Sequence, residues 1–282
     1  MVLVKILKLR LKLEYFNQYG RRNNTDSYRV FGEKPSFYYK VNQIQQDYGK
    51  QLRNLKFYEI INDDINLLEY ESRSEKLLNK IKNNRSYKNL TNGTMVPFLY
   101  KNINKCDDLG EDLFKYLLNS VGKSFTNKFP NAKFKAILQN KSNLEKNIQI
   151  DKRSRYDEFI DLSSHNIVIG WYFPQALQEF DLESQRRQMN ELPSSVDFNI
   201  CLSGGKEICA SIVAVPELLI NEDDYAPILC LSSYVHVDER MVLTLKSYGP
   251  HMEFWSMTQM LTADIKQVSE QWTGGLTIFE KL

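Results

Sequence analysis

The sequence predicts an α+β fold, in which helices pack on a mixed, largely antiparallel sheet built from hairpins. Short runs of alternating apolar and polar residues, many of them paired about turn residues, dominate the second half of the chain. Apolar stripes with helical spacing predict helices over residues 107–129 and 250–273, and turn and cap residues predict a further helix over 174–192. The chain has 282 residues, 42% of them hydrophobic, with 15 Phe and 16 Tyr, which is enough to build a core without disulfides or a structural metal.

The clearest hairpin is predicted for residues 196–215. Two apolar alternating runs flank Gly204 and Gly205, which supply the backbone freedom that tight turns need. Matching the apolar faces of the two runs places Cys201 opposite Cys209. One interpretation of this pair is a cross-strand disulfide or thiol pair. The other, which we favour, is two small buried side chains, because free cysteine commonly behaves as a small apolar residue.

The three predicted helices are bounded by turn and cap residues. The helix at 107–129 is stopped by a proline, and its apolar stripe has a spacing of four. The helix at 174–192 starts at a proline, and Asp181 offers a second N-cap within it. The helix at 250–273 is the longest of the three, and Gly-Gly follows it in the manner of a C-cap.

We predict a single fold over residues 1–282. The alternative is two lobes, a basic one over 1–145 and an acidic one over 155–282, because a polar stretch without apolar periodicity covers residues 140–155. The net charge is only +2, but residues 1–150 hold 27 basic and 15 acidic residues, whereas residues 151–282 hold 10 and 20. Such asymmetry indicates a polyanionic partner for the basic half, or two halves that complement each other.

The basic half begins with a predicted strand in which apolar and charged residues alternate. Lys8, Arg10 and Lys12 share its polar face, and Arg21 and Arg22 follow in a predicted loop. One interpretation is an edge strand that its lysines protect against aggregation. The other is a cationic surface for phosphates, in which these five residues are the candidate nucleic-acid-binding residues.

Candidate catalytic chemistry is sparse. His236 and Asp238 lie on one face at a predicted strand end, and a nearby thiol such as Cys209 would complete a Cys–His–Asp arrangement. These three residues are therefore the first to test in an enzyme hypothesis, although we favour the simpler explanation that they are ordinary polar residues at a hairpin tip. We expect no metal site and no cofactor, because the three histidines lack ligand spacing and the four cysteines form no CxxC.

These observations favour a non-catalytic binding protein whose basic N-terminal half contacts nucleic acid or an acidic protein. One alternative is an enzyme, either a thiol-dependent hydrolase or transferase or a nuclease, with a site assembled from dispersed residues. Another is an interaction or inhibitor protein that uses its acidic C-terminal half. We expect a cytoplasmic protein without membrane association, because the sequence has no apolar run of about 20 residues and its start does not resemble a secretory signal.

Overall fold

The computed structural model describes residues 14–23, 38–138, 144–220, 225–258 and 271–282. The predicted α+β class is confirmed, because helices pack on a mixed, largely antiparallel sheet. Among these residues, no helix has the combination of length and hydropathy that crossing a bilayer demands. The predicted strand that carries Lys8, Arg10 and Lys12 lies outside the described residues.

The helices, numbered in chain order, are α1 (Tyr48–Phe57), α2 (Leu67–Asn83), α3 (Leu109–Glu111), α4 (Leu118–Lys128), α5 (Tyr156–His165), α6 (Leu182–Glu191) and α7 (Gly205–Ala214). A 3-10 helix spans Lys88–Asn92, and a π-helical segment, Asp112–Leu117, joins α3 to α4. The strands are β1 (Val96–Tyr100), β2 (Phe134–Leu138), β3 (Ile148–Ile150), β4 (Val168–Gln178), β5 (Asn199–Leu202), β6 (Ile228–Cys230), β7 (Tyr234–His236), β8 (Met241–Tyr248), β9 (His251–Thr258) and β10 (Trp272–Lys281).

In the part of the chain that the structure describes, eight strands form one sheet in the order β1-β4-β10-β6-β8-β9-β2, with β5 paired to β10 as a branch. The β6–β10 and β2–β9 pairs are parallel, and the other pairs are antiparallel. The strands β3 and β7 form a separate antiparallel pair. The sheet therefore combines β1 and β2 from the basic half with strands from the acidic half.

The predicted hairpin at 196–215 is wrong in its second strand. Its first strand exists as β5, but the residues after Gly204 form α7, and every residue of this helix is buried. The two glycines are needed for close packing, since a Cβ on Gly204 would lie 2.6 Å from the ring of Tyr156 and one on Gly205 would lie 2.7 Å from that of Tyr234. Because this short run is buried on all sides, it shows no one-sided apolar stripe, and its sequence fits a buried helix as well as a strand.

The predicted cross-strand pairing of Cys201 with Cys209 is wrong for the same reason. Cys201 lies in β5 opposite Thr277 of β10, whereas Cys209 lies in α7. All four cysteines of the chain are free, and both members of this pair are fully buried. The expectation that they are small buried side chains therefore agrees with the structure, but on different elements.

The predicted helix at 250–273 is also wrong. Its first residues form β9, which pairs with β8 across a tight hairpin in which Tyr248 lies opposite His251. Gly249 in this hairpin has φ +54°, so the residue expected to precede a helix start is a turn residue instead. The side chains of Met252 and Phe254 alternate into the core, which satisfies a period of two. Residues 259–270 lie outside the described residues.

The predicted helices at 107–129 and 174–192 agree better with the structure. Residues 109–128 are helical and begin at Asp108, whose carboxylate accepts a hydrogen bond from the N–H of Glu111 at 2.6 Å. A stripe with a spacing of four drifts around an α-helix of 3.6 residues per turn, and the wider π-helical segment compensates for this drift. In the range 174–192, β4 continues to Gln178, and the helix begins only at the Asp181 cap.

The central helix α7 is held by the two helices that flank it. The Ser124 hydroxyl of α4 donates to the carbonyl oxygen of Val213 at 3.0 Å, and the Asn54 amide of α1 donates to that of Ala214 at 3.2 Å. These bonds satisfy carbonyls at the carboxyl end of α7 that have no partner within the helix. Both donors belong to the basic half of the sequence, so this half completes the core that the acidic half forms.

Candidate functional site

Arg21 and Arg22, two of the candidate nucleic-acid-binding residues, are buried. Arg21 forms an ion pair with the fully buried Glu179 at 3.4 Å. Arg22 donates to the carbonyl oxygens of Tyr15 at 3.0 Å and Asn23 at 2.8 Å. Burial lowers the pKa of the Arg22 guanidinium. In the described structure these two side chains therefore hold residues 15–23 in place rather than face solvent.

A group of exposed cations lies close to this segment. Lys82 ends the last turn of α2, Arg85 follows it, and Lys88 begins the 3-10 helix; we call these three residues the basic turn. All three are exposed, and none forms an ion pair with any residue that the structure describes. Lys80, one turn earlier, differs because it pairs with Glu280.

The basic turn has a rigid base. The N–H of Lys88 donates to the carbonyl oxygen of Asn84 at 2.9 Å, which closes the turn. Tyr87 between them is 1% exposed, and its hydroxyl donates to the carbonyl oxygen of Pro193. Burying the tyrosine fixes the backbone from which the neighbouring cations project. The arrangement concentrates positive charge on a fixed stretch of surface.

The sequence itself indicates the basic turn, although none of its three residues is among the candidate nucleic-acid-binding residues. Residues 76–106 include seven Lys or Arg and no Asp or Glu, the members being Lys76, Lys80, Lys82, Arg85, Lys88, Lys101 and Lys105. Lysines in the last turn of a helix also complement its dipole, which explains Lys82 in part. Arg85 and Lys88 lie beyond the helix, so the helix dipole does not account for them.

The proposed thiol centre is not assembled in the described structure. The Nδ1 atom of His236 accepts from the N–H of Asp238 at 2.9 Å, whereas the Asp238 carboxylate binds the guanidinium of Arg240 at 2.8 Å. The hydrogen bond from Arg240 lowers the pKa of Asp238 to about 2. Among the described contacts, none joins Cys209 to His236. Burial raises the pKa of the Cys209 thiol well above its ordinary value, which is the opposite of activation.

Thiol reactivity offers a check on this geometry. Cys201, Cys209 and Cys230 are buried, and burial raises the pKa of each thiol, whereas Cys106 is partly exposed. We expect a thiol-specific chromogenic reagent to modify Cys106 alone in the native protein and all four cysteines after denaturation. Rapid native modification of Cys209, located by peptide mass analysis, would contradict the structure and favour a thiol enzyme.

A buried polar cluster surrounds the amino end of α7. The ammonium of Lys206 forms an ion pair with Asp112, the first residue of the π-helical segment, and both side chains are almost fully buried. The ammonium also donates to the hydroxyl of Tyr100 at 3.1 Å. The second carboxylate oxygen of Asp112 is buried without a hydrogen-bond partner. No local pattern indicates this pair, because the two residues are 94 positions apart in the sequence.

Glu207 extends the cluster on the other side of α7. Its carboxylate accepts from the Tyr156 hydroxyl at 2.5 Å and from the N–H of Gly204 at 2.6 Å. The hydroxyl of Thr277 lies 3.4 Å away. Burial outweighs these donors and raises the pKa of Glu207 to about 7. The cluster is enclosed by core residues, so we regard it as a structural element and not as a site that a ligand reaches.

Comparisons with protein-family models, with characterised proteins and with solved structures found no match. In the described part of the chain, no group of three or more His, Cys, Asp or Glu side chains is arranged to hold a metal ion.

Proposed function

We propose that the protein is a non-catalytic binding protein whose basic N-terminal half contacts a polyanion, either nucleic acid or an acidic protein. The observation that carries the proposal is the basic turn, in which three exposed cations without ion-pair partners among the described residues project within seven positions. Phosphate or carboxylate groups bind such cations through charge and displace their counterions.

Two further observations support this proposal. The basic turn lies in a stretch of 31 residues without an acidic side chain, so no carboxylate close in sequence competes for its cations. The backbone of the basic turn is fixed by the buried Tyr87. Binding a polyanion therefore costs conformational entropy of the side chains but not of the backbone. By contrast, two other lysines of the basic half form ion pairs, Lys50 with Glu217 and Lys101 with Asp63. A polyanion would have to break these ion pairs in order to bind there.

Neutralising the basic turn tests the proposal. The variant Lys82→Gln, Arg85→Gln, Lys88→Gln removes three positive charges that the fold does not pair. If these cations contact phosphates, the slope of log K against log salt for an oligonucleotide falls in magnitude by ~2 units, because each neutralised contact contributes ~0.7–0.9. Affinity at low salt falls in parallel. Fluorescence anisotropy with a labelled oligonucleotide measures both quantities.

The chain offers a matched control in another part of the sequence and on other elements. Lys123, Lys128 and Lys133 are also exposed and have no ion-pair partner among the described residues, and Lys128 occupies the last turn of α4 as Lys82 occupies that of α2. Replacing these three lysines by Gln changes the net charge equally. We expect a clearly smaller loss in the control variant. Equal losses in the two triple variants would show that net charge and not the basic turn determines binding.

A further inference from the structure

The loop that joins α6 to β5 lies along the basic turn. It covers residues 192–198, and we call it the serine loop. Three hydrogen bonds hold it in place, from the Lys80 ammonium to the Asp197 carbonyl oxygen at 3.3 Å, from the Asn84 amide to the Ser195 hydroxyl oxygen at 3.4 Å, and from the Tyr87 hydroxyl to the Pro193 carbonyl oxygen. The two stretches therefore run antiparallel, and Ser195 lies at the middle of their contact, beside Asn84.

The serine loop is accessible from solvent. None of its residues, all of which the structure describes, belongs to a helix or a strand. Val196 is fully exposed, Ser194 is exposed and Ser195 is partly exposed. Irregular surface segments are where enzymes that act on protein chains gain access, because no regular element has to open. A modifying enzyme can therefore reach the hydroxyl group of Ser195.

The hydroxyl group of Ser195 uses its oxygen but not its proton. The oxygen accepts from the Asn84 amide and from the N–H of Asp197 at 3.1 Å. Among the described contacts, the hydroxyl group itself donates to no acceptor. Replacing the proton by a phosphoryl group therefore breaks no described hydrogen bond. The phosphoryl group would bring a charge of about −1.5 to −2 at neutral pH and three strong acceptor oxygens.

We propose that Ser195 is a phosphorylation site, and that a phosphate there pairs with Arg85 and displaces the polyanion from the basic turn. The inference rests on the proposed function and adds its regulation. Arg85 directly follows Asn84, is exposed, and has no ion-pair partner among the described residues. A guanidinium binds phosphate through strong, often bidentate hydrogen bonds. The phosphate cancels about two of the three positive charges of the basic turn.

The modification is a phosphoryl transfer from ATP, catalysed by a serine kinase. The Ser195 hydroxyl oxygen forms a bond to the γ-phosphorus, while the bond from that phosphorus to the bridging oxygen breaks. ADP leaves with the electrons of the broken bond, and the hydroxyl proton passes to a carboxylate base of the kinase. A phosphatase reverses the change by hydrolysis with water. Binding through the basic turn is therefore lost on phosphorylation and restored on dephosphorylation.

The test uses the full chain with phosphoserine incorporated genetically at position 195. Its binding to a labelled oligonucleotide is measured by fluorescence anisotropy beside that of the unmodified protein. We expect the slope of log K against log salt to fall in magnitude by about 1.5, because two charges are neutralised at ~0.7–0.9 each. We expect affinity at low salt to fall about tenfold, and phosphatase treatment to restore both quantities. Binding equal to that of the unmodified protein would overturn the inference.

Two controls show whether the position of the phosphate matters. Ser164 is exposed in α5, and no described contact joins it to the basic turn or to the serine loop. Phosphoserine at position 164 is expected to cause a clearly smaller loss, and an equal loss would overturn the inference. In the Arg85→Gln background, phosphoserine at position 195 is expected to weaken binding less than in wild type. Thermal unfolding of each protein confirms that the fold is intact.

A measurement without a polyanion separates failure of this inference from failure of the proposed function. Phosphorus NMR follows the second pKa of the phosphoserine at position 195, which is ordinarily about 6. We expect the guanidinium of Arg85 to lower this pKa, and Arg85→Gln to return it towards its ordinary value. An unshifted pKa would overturn this inference while polyanion binding stands. Absence of oligonucleotide binding by the unmodified protein at low salt would refute the proposed function, whereas the NMR titration would still report the contact.

The modification itself is tested on the protein isolated from the cells that produce it naturally. Peptide mass analysis is expected to find phosphate on Ser195. Phosphate on other serines of the chain with Ser195 unmodified, or no phosphate at all, would refute the assignment of this site.

Discussion

Raising the pH from about 4 to about 8 is expected to lower the free energy of unfolding by about 3 kcal/mol through Glu207 alone. Burial raises the pKa of this carboxyl group from its ordinary value of 4.5 to about 7 in the folded protein. At ~1.4 kcal/mol per pKa unit, the difference corresponds to that energy.

The sign follows from proton binding. Between the two pKa values the folded state keeps the Glu207 proton, whereas the unfolded state loses it, so the folded state binds more protons. The contribution of Glu207 to the free energy of unfolding is fully present below about pH 4.5. It is lost as the pH rises through about 7. Paired carboxylates such as Asp151, whose pKa is lowered in the fold, act oppositely and lose their contribution in acid.

The variant Glu207→Gln isolates the effect. The amide is neutral at every pH, and its oxygen can still accept from the N–H of Gly204. We expect equal stability of wild type and variant at about pH 4, and greater stability of the variant at about pH 8, in urea unfolding followed by circular dichroism. Glu158→Gln, the same replacement at an exposed position of α5, serves as the control. Parallel pH profiles for wild type and Glu207→Gln would contradict this account of the buried cluster.

Replacing Lys206 by Met is expected to destabilise the protein by about 3–5 kcal/mol, the range for breaking a buried ion pair from one side. The loss arises because the carboxylate of Asp112, which already has one unpartnered oxygen, would lose its cation in the interior. Asp112→Asn is expected to cost a similar amount, since it leaves the Lys206 ammonium buried without a counter-charge. Urea unfolding at pH 7 measures both losses.

The double variant distinguishes the ion pair from simple packing. Asp112→Asn with Lys206→Met leaves no charge at either position of the pair, and the new amide oxygen can still accept from the Tyr100 hydroxyl, as the carboxylate does. We expect the double variant to be more stable than the sum of the single losses predicts, by more than about 1 kcal/mol of coupling. Additive losses would show that the two side chains do not act as a pair.

Local patterns predicted the fold class and several elements, but they failed where burial removed the distinction between helix and strand. The helix at 107–129 carries a one-sided apolar stripe, which a strand cannot produce, so its prediction held. Residues 205–214 are buried on all sides as α7 and show no helical stripe. At 250–273 an apparent helical stripe misled, because the buried side chains of β9 alternate through Met252, Phe254 and Ser256, and the polar serine hides this period of two.

The candidate sites were harder to predict than the fold, because they depend on which charges meet in space. Arg21 and Arg22 were correctly expected in a loop, but their partner carboxylates Glu179 and Glu191 are distant in sequence. The Lys206–Asp112 ion pair escaped prediction for the same reason, because its two residues are also distant in sequence. The basic turn, in contrast, is visible in sequence as a stretch of 31 residues without an acid, because its cations lie close together along the chain.

The acid-free stretch places the three cations of the basic turn on a fixed surface. The scaffold of this surface is the buried Tyr87, whose ring packs on that of Phe16 with centroids 6.0 Å apart. Variants of the three exposed cations should therefore change binding and leave the fold unchanged. Variants of Phe16 or Tyr87 should change binding and also destabilise the fold.

The most direct test of polyanion binding is a salt titration of the wild-type protein with a labelled single-stranded oligonucleotide. We expect measurable binding at about 50 mM salt and a linear fall of log K with log salt, with a slope of about −2 or steeper if the three cations of the basic turn each contact a phosphate. Absence of binding at about 50 mM salt, or an affinity that does not change with salt, would contradict polyanion binding.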